Sequence, residues 1–215
     1  MTPERASGIV LRTRPLTDTS LIVHWLTPEL GRMATVAKGA RKPKSAFFGK
    51  LDLCFEAEFS FVRSARSELH TLREVMPGNV RAALRTDFGY LAQVAYAVAF
   101  LEQLTETETP VPEVFELFRD FLGHLPQQPP QPRNVFAFEL RLLASQGLEP
   151  DPETTAFSPT AKQLLTELTY RDWAELPALK PAAADVQAVR QFLHGFILFH
   201  CHRLPRGRAE ALETR

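Results

Sequence analysis

At 215 residues, with 45% hydrophobic and 23% charged side chains, the chain is long enough for one large or two small cores and too apolar for wholesale disorder. Its 25 Lys and Arg balance 25 Asp and Glu, so any strong local charge reflects placement and not bulk composition. Two cysteines exclude a disulfide framework or a paired metal spacing, residues 1–8 are too polar for a signal peptide, and no run approaches the ~20 apolar residues of a membrane span. A cytoplasmic protein with reduced thiols is expected.

The first third reads as strands. Residues 8–14 begin apolar and then alternate. Residues 20–26 are rich in β-branched and aromatic side chains and stop at Thr27-Pro28-Glu29-Leu30-Gly31, a turn with Pro early and Gly late. Residues 33–37 resume as the hairpin partner. Over 53–61, Leu53, Phe55, Ala57, Phe59 and Phe61 fall on one face and Cys54, Glu56, Glu58 and Ser60 on the other, the period of a half-buried strand. Residues 68–76 give a fifth strand. Five short strands in so few residues predict a small closed barrel with long loops.

At Pro77 the pattern turns helical. Helices are predicted over 79–85 and 87–104, with Leu84, Phe88, Leu91, Ala95, Val98 and Leu101 along one face, and over 113–125 and 134–146. Gly147 suits a left-handed cap after the last of these, and Ser158-Pro159 a cap and first-turn proline for a helix reaching Tyr170. A last helix spans 184–204, with Val186, Val189, Leu193, Phe196, Ile197 and His200 on one stripe. The expected architecture is α+β: a barrel domain over residues 1–77 and an all-α domain over 78–215.

Charge is shared unevenly between them. Residues 1–76 hold twelve Lys and Arg against eight Asp and Glu, a formal +4 that the remainder cancels. Between Arg32 and Lys50 lie six cations (Arg32, Lys38, Arg41, Lys42, Lys44 and Lys50) and no carboxylate. Gly39 allows close backbone approach there and Pro43 stiffens the loop. An uncompensated positive loop on a small barrel points to a polyanion, with Phe47, Phe48 and Trp25 as rings on which bases could stack. For Trp25, core packing is the favoured reading.

Ile9-Val10-Leu11-Arg12-Thr13-Arg14-Pro15, Asp18-Thr19-Ser20-Leu21, Thr27-Pro28-Glu29-Leu30-Gly31-Arg32 and Ala37-Lys38-Gly39-Ala40-Arg41-Lys42-Pro43-Lys44-Ser45 resemble the amino-terminal domain of the recombination mediator RecO family. His202-Arg203-Leu204-Pro205-Arg206-Gly207-Arg208 is similar to a drifted form of that family's basic closing motif. The resemblance implies an OB-fold and a helical domain, binding of single- and double-stranded DNA and annealing of complementary strands. It also implies a RecR partner, docking on the acidic tail of single-strand-binding protein, and loading of a recombinase. By position it places Lys38, Arg41, Lys42 and Lys44 in the DNA-facing loop and Arg14 at a neighbouring strand end. Many relatives hold a four-cysteine zinc module after a helix ending like Gly147-Leu148. This chain has no cysteine there and a short connection, so no zinc and no other cofactor is expected.

Other readings remain open: an RNA-binding barrel, or an adaptor whose basic loop greets an acidic protein segment. Arg133, Arg141 and Arg190, on or beside apolar helices, are candidates for such a tail. His200-Cys201-His202 as metal ligands is disfavoured, because consecutive helical residues point apart. Glu102, Glu106 and Glu108 lack the supporting pattern of a two-metal nuclease, and no nucleophile or phosphate loop converges, so no enzymatic activity is expected.

Overall fold

The computed structural model describes residues 2–213. Alternating sequence becomes five strands: β1 (Glu4–Pro15), β2 (Leu21–Thr27), β3 (Gly31–Ala37), β4 (Glu56–Val62) and β5 (Leu69–Asn79). They close into a barrel in the order β1-β2-β3-β5-β4, antiparallel throughout except for the β3–β5 pair. This is the OB architecture. Val10, Val23, Trp25, Met33, Phe59, Phe61, Leu72 and Val75 fill the interior. Trp25 is fully buried, stacked on Phe59 at 4.2 Å, and donates its Nε1–H to Thr35 Oγ1 at 2.9 Å. It is therefore a core residue, and base stacking on it is ruled out.

The β2–β3 turn closes as its residues dictate. Leu30 N–H donates to Thr27 Oγ1 at 3.1 Å, Thr27 Oγ1 donates to the Gly31 carbonyl at 2.9 Å, and Gly31 takes φ +65°. A Cβ on Gly31 would lie 1.9 Å from the Thr109 carbonyl oxygen, so only glycine fits. The fourth strand starts three residues later than the alternation predicts, because Cys54 adopts φ +64° and turns the chain. The fifth runs to Asn79, into the segment expected as helix, and only a 3-10 turn (Ala82–Arg85) follows.

By its internal contacts the chain divides into two units. The barrel unit runs up to Ala82 and also contains Thr105–Glu116; the helical unit comprises Ala83–Leu104 and the chain from Leu117 onward. In the barrel unit, residues 105–116 form a strap along the β3 end of the hairpin. Glu108 N–H donates to the Arg32 carbonyl at 2.8 Å, Val111 N–H to that of Pro28 at 3.1 Å, and buried His70 pairs its Nε2 with Glu108 Oε1 at 2.6 Å. The sequence pattern reads this Thr-Glu run as a solvated helix end; its backbone is instead engaged by the hairpin.

The helices are α1 (Phe88–Leu104), α2 (Pro112–His124), α3 (Pro132–Ser145), α4 (Pro159–Tyr170), α5 (Ala183–Cys201) and a short α6 (Arg208–Ala211). Gly147 caps α3 at φ +71°, with Leu148 N–H returning to the Leu143 carbonyl, and the Ser158 hydroxyl accepts from Ala161 N–H at the start of α4. The expected stripe on α1 is displaced. Phe88 is 60% exposed, whereas Tyr90, Val94, Tyr96, Ala97, Phe100 and Leu101 are buried. That helix is apolar nearly all round, so periodicity alone gives its buried face poorly. On α5 the buried residues are Val189, Leu193 and Ile197, with His200 exposed.

Candidate nucleic-acid interface

Strand register brings the basic residues together at one end of the barrel. Pro15 pairs with Leu21, and Leu21 with Ala37, so Arg14 ends β1 beside the point where β3 runs into Lys38. Residues 38–50 fold as successive tight turns, closed by Lys42 N–H to the Gly39 carbonyl, Ser45 to Lys42, Phe48 to Ser45 and Lys50 to Phe47. Ala40 and Phe47 are buried in the barrel core and pin the loop from beneath. Lys38, Arg41, Lys42 and Lys44 are left facing solvent.

The β1–β2 turn braces this loop: Arg41 N–H donates to the Thr19 carbonyl at 3.0 Å, and its Nη1 to that of Thr17 at 3.1 Å. Of the two loop phenylalanines, Phe48 is 73% exposed while Phe47 is spent on the core, so only Phe48 offers a ring to a base. Nothing in the sequence separates these neighbours, since a turn has no period.

The outer face of β1 and β2 adds residues that sequence reading does not name. His24 lies opposite Arg12, and its Nε2 is 3.2 Å from Arg14 Nη2. Burial, reinforced by the charges of Arg12, Arg14 and Arg32, brings the imidazole down to about 4. It is neutral at physiological pH and accepts the Arg14 hydrogen bond. One imidazole thus registers the field of three guanidinium groups. The period-two spacing of Arg12 and Arg14 was the available signal.

Two members of the basic set lie apart. Arg32 sits at the hairpin end of β3, about 20 Å along the strand from Lys38 at ~3.3 Å per residue. Its guanidinium holds the strap, with Nε donating to Thr105 Oγ1 at 2.8 Å and Nη2 to the Thr105 carbonyl at 2.5 Å. Lys50 is half-buried and lines a cleft of about 850 Å³ whose walls carry Glu4, Glu29, Glu58 and Glu74. That side of the barrel is of mixed charge. The coherent basic surface is therefore Arg14, Lys38, Arg41, Lys42 and Lys44, with exposed Phe48 in the same loop and one carboxylate, Asp18, in the bracing turn between Thr17 and Thr19.

The three helical-unit arginines do not share a site. Arg141 is absorbed internally: it donates to the Leu168 and Arg171 carbonyls, and its guanidinium carbon lies 4.1 Å from the centre of the Trp173 ring. That packing engages its guanidinium at the α4 terminus. Arg133 donates to Gln128 Oε1 at 2.8 Å and stands at the edge of an apolar pocket of about 260 Å³ with Phe136, Leu164, Leu168, Leu179 and Val186. Arg190 lines a separate pocket beside His194 and Leu204. Within the closing motif, Arg208 is buried and grips Glu139 through Nε (2.7 Å) and Nη2 (3.0 Å), with the Tyr96 hydroxyl donating to the same carboxylate. Desolvation and that carboxylate hold the Tyr96 phenol well above its usual range.

Among the described residues no group of three or more His, Cys, Asp or Glu side chains is placed to hold a metal. Cys54 is buried in the barrel unit and Cys201 ends α5, so the residues present do not fit a cysteine zinc module. No described helix is long and apolar enough to cross a membrane.

Comparison with known proteins agrees with this architecture. Residues 1–79 match the family model described as Recombination protein O N terminal, and residues 85–158 that described as Recombination protein O C terminal. The chain is 32% identical over 146 residues to the DNA repair protein RecO of Anaeromyxobacter dehalogenans (strain 2CP-C), covering 68% of this chain and 58% of that protein. It is 32% identical over 143 residues to that of Myxococcus xanthus (strain DK1622), again covering 58% of the relative. In both, the match spans less than two thirds of the relative's own length. Against the RecO of Bacillus pumilus (strain SAFR-032) it is 26% identical over 221 residues, 88% of this chain and 86% of that one. On two adjoining family matches and a barrel with the expected strand order, the chain belongs to the recombination protein O (RecO) family.

Proposed function

We propose that this chain is a non-enzymatic mediator of DNA repair and recombination that binds DNA without reading its sequence. Cations on the barrel rim neutralise phosphates on single and double strands, complementary strands meet under the screened repulsion, and annealing follows with no covalent step. The reading rests on one observation above others: five exposed cations gathered from two chain segments at one barrel end, with no carboxylate between Arg32 and Lys50. The names of its relatives support the repair context. In that context the protein acts on the nucleoid in the cytoplasm, joins a RecR-like partner and helps load a recombinase on coated single strands.

The apolar pocket beside Arg133 favours a second, compatible activity. An acidic tail ending in apolar or aromatic residues, such as that of single-strand-binding protein, fits a greasy pocket with one guanidinium at its edge.

Titrating a labelled oligonucleotide across salt, with and without an acidic peptide, tests both. Five phosphate contacts give a log–log salt slope near roughly −3.5 on a single strand, and Lys38→Glu with Arg41→Glu and Lys44→Glu flattens it by about 2 for every sequence alike. Unchanged affinity in a folded triple variant removes the strand site. Tight peptide binding with negligible oligonucleotide binding leaves an adaptor, and a strong preference for RNA over DNA of one sequence leaves an RNA module.

A further inference from the structure

Between Asp185 and Glu210 the chain again carries no carboxylate, this time across four arginines and three histidines. This stretch is α5 and the turn behind it, which the strand-binding surface of the barrel does not use. Its outward side is aromatic. Phe157 meets Phe192 at 5.2 Å between ring centres, Phe192 meets Phe196 at 5.4 Å, Phe196 meets His200 at 4.2 Å, and Phe199 stands edge-on to His200 at 4.9 Å. On α5 these residues recur three and four apart and so share one face. The ladder ends at Phe199, 77% exposed, next to Leu198, which is also exposed.

Beyond it the helix stops at His202 in the left-handed conformation, and Gln103 donates to the Cys201 carbonyl at 3.1 Å and the Arg203 carbonyl at 2.9 Å. That clamp fixes the turn from which Arg203 and Arg206 project into solvent. Of the four arginines only Arg208 is consumed, by Glu139. Carboxylates at the Phe157 end are engaged: Asp185 accepts from Ser158 Oγ, Asp151 from Glu153 N–H, and Glu153 pairs with Lys162.

We propose that the exposed face of α5 and the turn after it are a second single-strand nucleic-acid site, in which a base stacks on Phe199 while Arg203 and Arg206 hold the flanking phosphates. Rings backed by rings, beside exposed cations that no carboxylate interrupts before Glu210, are what sequence-tolerant strand binding requires. An apolar protein partner would gain nothing from the exposed arginines, and a basic partner would be repelled by them. The inference rests on the strand-binding reading above and extends it: a chain with a strand site on each unit can hold two strands at once.

The test uses the full chain and labelled oligonucleotides in two variants. Phe199→Ala with Arg203→Glu and Arg206→Glu alters only exposed side chains and leaves the melting profile unchanged. It lowers the number of strands bound per chain from two to one, flattens the salt slope of the weaker phase by about 1.4, and slows annealing about tenfold. Phe199→Trp, with both arginines kept, retains both sites. Lys38→Glu with Arg41→Glu and Lys44→Glu removes the other site instead. If the α5 variant keeps two strands and its annealing rate while the barrel variant loses all binding, this inference falls and the barrel reading stands. If the α5 variant alone abolishes binding, the barrel reading falls and this one stands. A Phe199-dependent dimer in sedimentation, with the strand count unchanged, gives the face to a second copy and overturns the inference. Capture of an acidic peptide by wild type but not by the α5 variant, again with the strand count unchanged, also overturns it.

Discussion

The barrel rim and the interior of the helical unit both carry arginines close to buried apolar side chains, and they use them in opposite ways. On the rim, Ala40 and Phe47 turn inward and the polar tips of the loop have no acid within reach along the chain. In the helical unit, Arg208 meets the Glu139 carboxylate and Arg141 meets two carbonyls and an indole. Whether a cation serves a ligand or the fold depends on whether its surroundings supply acceptors. A buried guanidinium must be paired, whereas a rim lysine need not be.

Substitutions can break or sharpen this contrast. The largest effect is expected at the buried pair: Arg208→Ala leaves Glu139 and Tyr96 without their cation and costs about 3–5 kcal/mol in denaturant unfolding. Lys38→Ala leaves stability within about 0.5 kcal/mol. Next come the two adjacent rings of the basic loop. Phe47→Ala costs about 3 kcal/mol of barrel stability, while Phe48→Ala leaves the melt unchanged and weakens oligonucleotide binding by about 1–3 kcal/mol through the lost stack.

Gly31→Ala probes the strap, because both its positive φ and the Thr109 backbone oppose a methyl group. A loss of about 1–3 kcal/mol in thermal unfolding is expected. The smallest effect is acid sensitivity at His24. Its folded value of about 4 lies below the ordinary 6.5, so the unfolded chain binds the proton more readily. The stability it contributes is complete above about 6.5 and declines as pH falls toward 4. Arg12→Gln raises the His24 midpoint in an NMR titration and narrows that window.

Much of the barrel was legible because strands announce themselves. The alternation of Ala57, Phe59 and Phe61, the Thr27–Gly31 turn and the β-branched run at Ile22 and Val23 each follow from local chemistry. The exposed loop cations were legible for the same reason: no acid stands near them in sequence. What was hidden depends on partners far along the chain. Arg32 meets Thr105 across 73 residues and Arg208 meets Glu139 across 69, and a single sequence gives no signal for either. The Thr and Glu run of the strap has the composition of a solvated helix end, yet the backbone groups of the β2–β3 hairpin hold it. On α1, apolar residues on nearly every side left no stripe to read.

The loop on the barrel rim has a last consequence. It is already wound into turns, tethered to Thr17 and Thr19 by Arg41 and plugged from below by Phe47. A strand arriving there would not have to freeze a floppy segment, so little conformational entropy is lost on capture. Arrival would then be governed by collision and long-range attraction, and departure by competing ions, which favours rapid exchange over long residence.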